Sequence, residues 1–308
     1  MQTSDRLRVL VLGYGEMGHA LETLLAARHR VRIWQRHPPP GASPVDLEQV
    51  APDSDFVLFC LPATAHVELA TRLAPCLQTT KTTCLTIAKG LTDDGRLPAE
   101  VLTEICGQQR TVVLYGPMIA EEIRAGRPAF AECGTSNPAL AEQVAMLFAG
   151  SALFVEPSED IIGLSWSAIL KNVYALAFGM ADELALGDNV RGLLGVAALH
   201  ELSQIVQSLG GASATPFHLA GLGDLITTAT SAGSHHHELG RRLARGEAAG
   251  LAGEGLHTLK VLCGHQRFDN AQFPLYQVID RCVRDPQVVR AQFSAWLLSP
   301  FKLPRPAC

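Results

Sequence analysis

The sequence predicts an α/β first half followed by an all-helical second half, and three observations carry this. Short apolar runs rich in Val, Ile and Leu alternate with helical patterns from Leu7 to Val155, which argues a doubly wound, mostly parallel sheet. A glycine-rich turn, Gly13-Tyr14-Gly15-Glu16-Met17-Gly18, follows the first run directly. After Asp160 helical patterns succeed one another and no strand pattern remains. This change of character places the domain boundary at about residue 158, giving domains 1–158 and 159–308.

In chain order, Leu7–Leu12 reads as a buried parallel strand and His19–Arg28 as a helix. Val31–Trp34 is a second strand, closed by the loop Pro38–Gly41, and Val45–Val50 a small helix. Phe56–Leu61 is a continuous apolar strand stopped by Pro62. Ala65–Leu73 is a helix, Thr82–Ile87 a strand, Leu97–Cys106 a helix and Thr111–Tyr115 a strand ended by Gly116-Pro117. Ala120–Ala125 is a short helix, Ala129–Cys133 a strand, Leu140–Phe148 a helix and Leu153–Val155 the last strand. Helices then follow at 160–184, 190–209, 218–230, 236–246, 256–267, 273–284 and 286–297.

Composition excludes several classes. The chain has 308 residues, is 47% hydrophobic and 18% charged, and has ample material for two cores. A net charge of -5 leaves no basic footprint for nucleic acid. Eight cysteines with no Cys-x-x-Cys pair read as reduced, mostly buried thiols of a cytoplasmic protein. Met1–Asp5 is short and polar, so no secretory leader is expected.

The glycine turn has strand before it, helix after it and a second strand about twenty residues on, the context that a dinucleotide site requires. Gly13 allows the tight turn, Gly15 lets backbone approach a pyrophosphate, and Gly18 lets helix and strand pack closely. The helix N-terminus favours the anion. The first domain is therefore of Rossmann type. Its second strand ends Trp34-Gln35-Arg36-His37, without the acid that commonly holds a ribose 2′-hydroxyl. Arg36, with Arg32 or His37, could face a 2′-phosphate, which leans towards NADP over NAD. A solvated loop arginine is the alternative.

Lys171 is the only charged side chain between Asp160 and Asp182. An apolar helix of this length is a buried one, and burial disfavours the ammonium form, which suits proton transfer. A snorkelling lysine is the alternative. The run is long enough for a membrane span, but a central Lys beside Asn172 argues against one. Lys89-Gly90 follows a strand end, where open sheets bind ligands. Asp224 and Thr228 lie one helical turn apart on one face, although Asp after Gly223 could equally be an N-cap. His235, His236 and His237 are consecutive, point to different sides of a helix and make a poor metal site, so no metal is expected.

Together these stretches resemble the bacterial NAD(P)-dependent glycerol-3-phosphate dehydrogenase family over nearly the whole chain. The resemblance rests on Gly13–Gly18, Ala88-Lys89-Gly90-Leu91, Tyr115–Glu122, Leu170-Lys171-Asn172-Val173-Tyr174-Ala175, Leu186–Asn189, Gly221–Leu225 with Thr228, and Glu254-Gly255. It implies hydride transfer between nicotinamide C4 and C2 of a phosphorylated triose, with Lys171 exchanging the proton at the C2 oxygen. It further implies that Lys89, Asn172, Asp224 and Thr228 surround the substrate. On the cofactor side it implies Tyr14, Glu16, Met17, Leu61, Pro62, Lys89, Ala120 and Glu254 besides the three glycines. A role in glycerol phosphate supply for phospholipid synthesis follows by the same resemblance, and pairing of two subunits through the helical half is expected.

Two departures stand out. The family's Ser-Arg-Asn-Arg segment, which grips the substrate phosphate, aligns without a gap on Ser234-His235-His236-His237. Histidine is a weaker, pH-dependent substitute for the arginine fork. Leu164-Ser165-Trp166-Ser167-Ala168 replaces a glycine-rich, acid-containing stretch, and the Trp could narrow the site. Three readings therefore stand. One is a glycerol-3-phosphate dehydrogenase in which His235 and His236 take the phosphate. The second is a diverged oxidoreductase of another small hydroxy or keto compound. The third is a nucleotide-binding regulatory protein without turnover, against which the retained set of Lys171, Asn172, Asp224 and Thr228 counts.

Overall fold

A computed structural model describes residues 6–41, 45–231 and 233–299. It divides into two compact units, Met1–Ser165 and Trp166–Cys308. The first is built on seven strands: β1 (Arg8–Leu12), β2 (Arg30–Trp34), β3 (Phe56–Phe59), β4 (Thr83–Thr86), β5 (Thr111–Tyr115), β6 (Ala129–Gly134) and β7 (Leu153–Ser158). Their order is β2-β1-β3-β4-β5-β6-β7. β2 to β5 run parallel to β1, β6 runs antiparallel to β5, and β7 runs parallel to β6. The reversed sixth strand was outside the sequence expectation, because an apolar run carries no sign of its direction.

Strand periodicity sorts the core into two layers. Val9 and Val11 point to one face with Leu21, Leu25, Ile123 and Val144 of α1 (Glu16–Leu25), α5 (Ala120–Arg124) and α6 (Pro138–Phe148). Leu10 and Leu12 point to the other face, with Leu47, Leu69, Leu73 and Leu102 of α2 (Leu47–Val50), α3 (His66–Leu77) and α4 (Pro98–Cys106). Burial on both faces explains why these strands read as unbroken apolar runs rather than alternating ones. α3 runs past its expected end at Leu73 and carries Pro75 in its last turns. Near a helix end, a missing N–H and a displaced carbonyl disturb less of the ladder than they do in its middle.

The second unit is helical. Its main helix, α7 (Ile161–Glu183), begins within the last residues of the first unit. It starts where Asp160 Oδ1 accepts from Gly163 N at 2.8 Å. This helix is long and apolar enough to cross a membrane, yet 89% of its most apolar window is buried inside the protein, as in a core helix. α8 (Asp188–Ser208), α9 (Asp224–Thr230), α10 (His235–Ala244), α11 (Glu254–His265), α12 (Pro274–Arg284) and α13 (Val289–Leu298) follow. α7 and α10 cross at Gly179 and Gly240. A Cβ on Gly240 would strike the Leu176 carbonyl and one on Gly179 the His237 carbonyl, so the two backbones touch. Before α9 the chain makes a π turn, Leu219–Gly223, in which Gly223 N–H reaches His218 C=O at 3.1 Å. Sequence periodicity read that segment as plain helix.

Candidate active site

In the first unit the strand order reverses between β1 and β3, the kind of point at which open α/β sheets bind ligands at their strand ends. Gly13 leaves β1 at φ +95, and a Cβ there would lie 2.6 Å from Cys60 O and from Leu61. Gly18 packs α1 onto this turn, since its Cβ would strike the Gly13 carbonyl. Around Gly15 nothing lies within 4 Å of the Cβ position. Packing thus explains two glycines and leaves the third facing open space, which a backbone approach to pyrophosphate does explain. The turn fits a dinucleotide.

The residues around it are held in place. Tyr14 stacks on His19 with ring centroids 3.6 Å apart, and its hydroxyl bonds Glu22, which raises the tyrosine's pKa. Glu16 pairs with Arg124 at 2.5 Å, from the helix that Ala120 opens. Met17 packs on the core layer beneath α1. Arg36 pairs with Glu68 at 2.6 Å, both side chains being more than half exposed. Such a pair is worth about 0–1 kcal/mol and yields readily to a stronger anion.

Lys89 leaves the end of β4 and donates from Nζ to Gly116 O at 2.9 Å. Its loop is fixed by two buried side chains: Ala88 N–H donates to Thr86 Oγ1 at 3.1 Å and Tyr115 OH donates to Ala88 O at 2.9 Å. Behind Thr86 sits His66, fully buried, which sequence reasoning missed. A lone histidine carries little signal. What could have found it is its place on the buried stripe of α3, with Leu69, Ala70, Leu73 and Leu77.

The second unit holds the lysine. Lys171 sits mid-way along α7 and is 4% exposed. Its Nζ donates to Thr228 Oγ1 at 2.5 Å and lies 3.1 Å from Asp224 Oδ1. Thr228 in turn donates to Asp224 O at 2.7 Å, so its oxygen is turned to accept from the amine. The expected one-turn spacing of Asp224 and Thr228 is what presents both to a single Nζ. Gly223, not Asp224, holds the N-cap position of α9, and Asp224 is its first helical residue, so the capping alternative does not apply. The carboxylate changes the electrostatics foreseen for Lys171: burial disfavours the ammonium, and an adjacent carboxylate favours it. Trp166, one of the departures, is buried at 1% exposure with the Arg267 guanidinium 5.5 Å from its ring.

Asn172 is buried beside Lys171, and a Cβ on Gly255 would come within 2.7 Å of its carbonyl, so the first turn of α11 lies on α7 here. That contact places Glu254, the first residue of α11 and the chain neighbour of Gly255, close to Asn172 in space. Ser234 caps α10, accepting from His237 N at 3.3 Å. His235 Nε2 bonds Ala252 O at 2.7 Å, and Gly255 N–H donates to His236 Nε2 at 3.3 Å. His237 Nε2 bonds Asp182 Oδ2 at 2.7 Å. The three rings thus go to three separate partners, and no group of three or more metal-binding side chains occurs among the described residues.

A glycine turn open at Gly15 on a doubly wound sheet, followed by a helical unit with a buried lysine and aspartate, defines a dinucleotide-dependent oxidoreductase. Residues 41–141 match the family model for the NAD-dependent glycerol-3-phosphate dehydrogenase N-terminus, and residues 160–292 match that for its C-terminus. The chain belongs to the NAD(P)-dependent glycerol-3-phosphate dehydrogenase family. It is 34% identical over 300 residues to glycerol-3-phosphate dehydrogenase (NAD(P)+) of Deinococcus radiodurans, covering 89% of this chain and 90% of that one. It is 33% identical over 285 residues to the enzyme of the same name from Thioalkalivibrio sulfidiphilus, covering 82% and 85%. The crystal structure of glycerol-3-phosphate dehydrogenase from Coxiella burnetii is similar with a TM-score of 0.82 at 28% identity, over 96% of this chain and 99% of that chain. The N-terminal family model begins its match beyond the glycine turn, so the dinucleotide reading of Gly13–Gly18 stands on the turn's own geometry.

Proposed function

We propose that this protein interconverts dihydroxyacetone phosphate and sn-glycerol 3-phosphate, with Lys171 as the acid/base and NADP favoured over NAD. The observation that carries this reading is the buried triad of Lys171, Asp224 and Thr228, with Nζ 2.5 Å from the hydroxyl and 3.1 Å from the carboxylate. A lysine held at this geometry in a site shielded from water has a direction in which to give its proton and a charge to keep it until then.

The Gly13–Gly18 turn would hold the pyrophosphate, with Leu61, Pro62 and Ala120 at the neighbouring strand ends, and the bound nicotinamide supplies the hydride that adds to C2. Lys171 gives its proton to the oxygen on that carbon as it gains charge, and takes the proton back in the reverse direction. Asp224 stabilises the ammonium, and Thr228 fixes its direction. Lys89, Asn172 and Glu254 are proposed to contact the bound molecules. The lean to NADP is supported by Arg36, two residues past the end of β2, and by the lack of an acid in Trp34–His37; Arg32 lies mid-strand and lines a pocket with Arg8 and Asp53 instead.

The phosphate is assigned to the neighbourhood of Ser234, His235 and His236. His235 Nε2 is already given to Ala252 O, so a contact by that ring falls to Nδ1. A ring donating from both nitrogens is the imidazolium. That same geometry favours a second reading, an oxidoreductase of another small hydroxy or keto compound, because Nε2 of both His235 and His236 serves the 252–255 segment. One assay separates them. Purified protein is given NADPH or NADH with dihydroxyacetone phosphate or a panel of unphosphorylated keto compounds, and loss of the reduced cofactor is followed. Preference for the phosphate ester supports the first reading; turnover confined to the unphosphorylated panel removes it.

A further inference from the structure

The dinucleotide turn and Lys89 lie on different strand ends of the first unit, and hydrogen bonds join the segment packed against the turn to the residue before Lys89. Leu61 lies against Gly13, and its neighbour Pro62 offers its carbonyl to His66 Nδ1 at 3.2 Å. His66 Nε2 lies 2.9 Å from Thr86 Oγ1, which accepts from Ala88 N–H at 3.1 Å. Ala88 directly precedes Lys89. A carbonyl can only accept, so Nδ1 carries a proton, and in the neutral ring Nε2 then accepts from the threonine hydroxyl. Every donor and acceptor in the series then has one assignment.

We propose that His66, as the neutral Nδ1–H tautomer, is a positioning residue that, with Thr86, sets the segment after β3 against the segment after β4 and so fixes Lys89 relative to the dinucleotide turn. It rests on reading the turn and Lys89 as ligand-binding. Burial supports the neutral ring, since it holds His66 down at about 4, only partly offset by the Pro62 and Ala63 carbonyls. The relay is dry: His66 and Thr86 are both 0% exposed, so water cannot replace a lost partner. Tyr115 holds Ala88 from its other side. Movement of Ala88 therefore carries Lys89 with it.

Two measurements test this. The first is the two-bond proton–nitrogen NMR correlation of the histidine rings near neutral pH, with the His66 signal assigned by its loss in His66→Gln. The Nδ1–H neutral pattern is expected; an Nε2–H or imidazolium pattern overturns the proposal. The second is fluorescence titration of NADPH and NADH into Thr86→Val, which keeps the shape and removes both bonds, well below its unfolding temperature. The dissociation constant is expected to rise about five- to tenfold, and Thr86→Ser to return it to within about twofold. An unchanged constant in Thr86→Val, or no rescue by Ser, overturns the proposal. Wild-type protein that binds neither reduced cofactor overturns the dinucleotide reading and this inference together. Cofactor binding without turnover of dihydroxyacetone phosphate removes the substrate assignment alone and leaves the relay standing.

Discussion

Lys171 Nζ lies 3.1 Å from Asp224 Oδ1, and each side chain is only 5% exposed. Removing one partner of such a buried pair strands a charge. Asp224→Asn keeps the shape and removes the counter-charge. Reduction needs the protonated amine, so activity falls as pH rises through its titration. Without Asp224 the ammonium is less favoured, and that alkaline limb moves to lower pH. At neutral pH kcat falls by about 100-fold, the lower range for loss of positioned proton transfer. A pH–rate profile checks both. An alkaline limb that stays in place contradicts the pairing.

The three glycines of the turn predict different failures. Gly18→Ala puts a Cβ into the Gly13 carbonyl and lowers the unfolding temperature. Gly15→Ala meets nothing within 4 Å and leaves stability within about 0.5 kcal/mol, as for a surface change. Its damage lies in cofactor affinity, because the new methyl occupies the space the pyrophosphate needs. Thermal unfolding beside NADPH titration separates the two. A Gly15→Ala protein with unaltered cofactor affinity would contradict the site.

His235→Arg tests the phosphate assignment. An arginine fork there lowers the KM for dihydroxyacetone phosphate about tenfold, since a bidentate charged bond is roughly twice as strong as a neutral one. The same change removes the bond to Ala252 O, so kcat is expected to fall somewhat as the 252–255 segment loosens. An unchanged or higher KM counts against a phosphate near His235.

Two buried groups give pH dependences of opposite sign. Burial lowers His66 from 6.5 to about 4, so the unfolded chain binds the extra proton between those values. Stability from the neutral ring is complete above about 6.5 and is lost as pH falls towards 4. Glu201 goes the other way. Its carboxylate accepts from Leu275 N at 2.7 Å, Tyr276 N at 2.9 Å and Tyr174 OH at 3.0 Å. Burial outweighs these bonds and raises it from 4.5 to about 7, so the folded state holds the proton and stability falls as pH rises from 4.5 to 7. Each contribution is on the order of 3 kcal/mol. In the window they share, the two contributions oppose each other. Urea unfolding should show Glu201→Gln gaining stability relative to wild type as pH rises from 4.5 to 6.5; a difference that stays constant over that range contradicts the assignment.

What the sequence made legible follows from what periodicity encodes. The strands of the first unit and the helices of the second were placed within a few residues, apart from α9, whose expected start at 218 runs over the π turn, because apolar runs and 3.6-residue stripes are local. The direction of β6 was not, since it depends on how the chain returns after Tyr115. Lys171 stood out as a single charge in an apolar run. Asp224 and Thr228 were recognisable as a one-turn pair, but their meeting with Lys171 spans more than fifty residues and became visible only in the fold. His66 and Glu201 look like ordinary polar residues on helices; their burial is a tertiary fact. For His235 and His236 the sequence suggested a phosphate, whereas the structure gives their Nε2 atoms to Ala252 and Gly255.

The central claim, that Lys171 moves the proton at C2 of a phosphorylated triose, is tested most directly by single-turnover oxidation of bound NADPH on addition of dihydroxyacetone phosphate. Wild type and Lys171→Met are compared after titration has shown that both bind the cofactor. The account predicts rapid oxidation by wild type and a rate at least about 100-fold slower in Lys171→Met, the least expected for losing a positioned acid. Equal rates in the two proteins would contradict it.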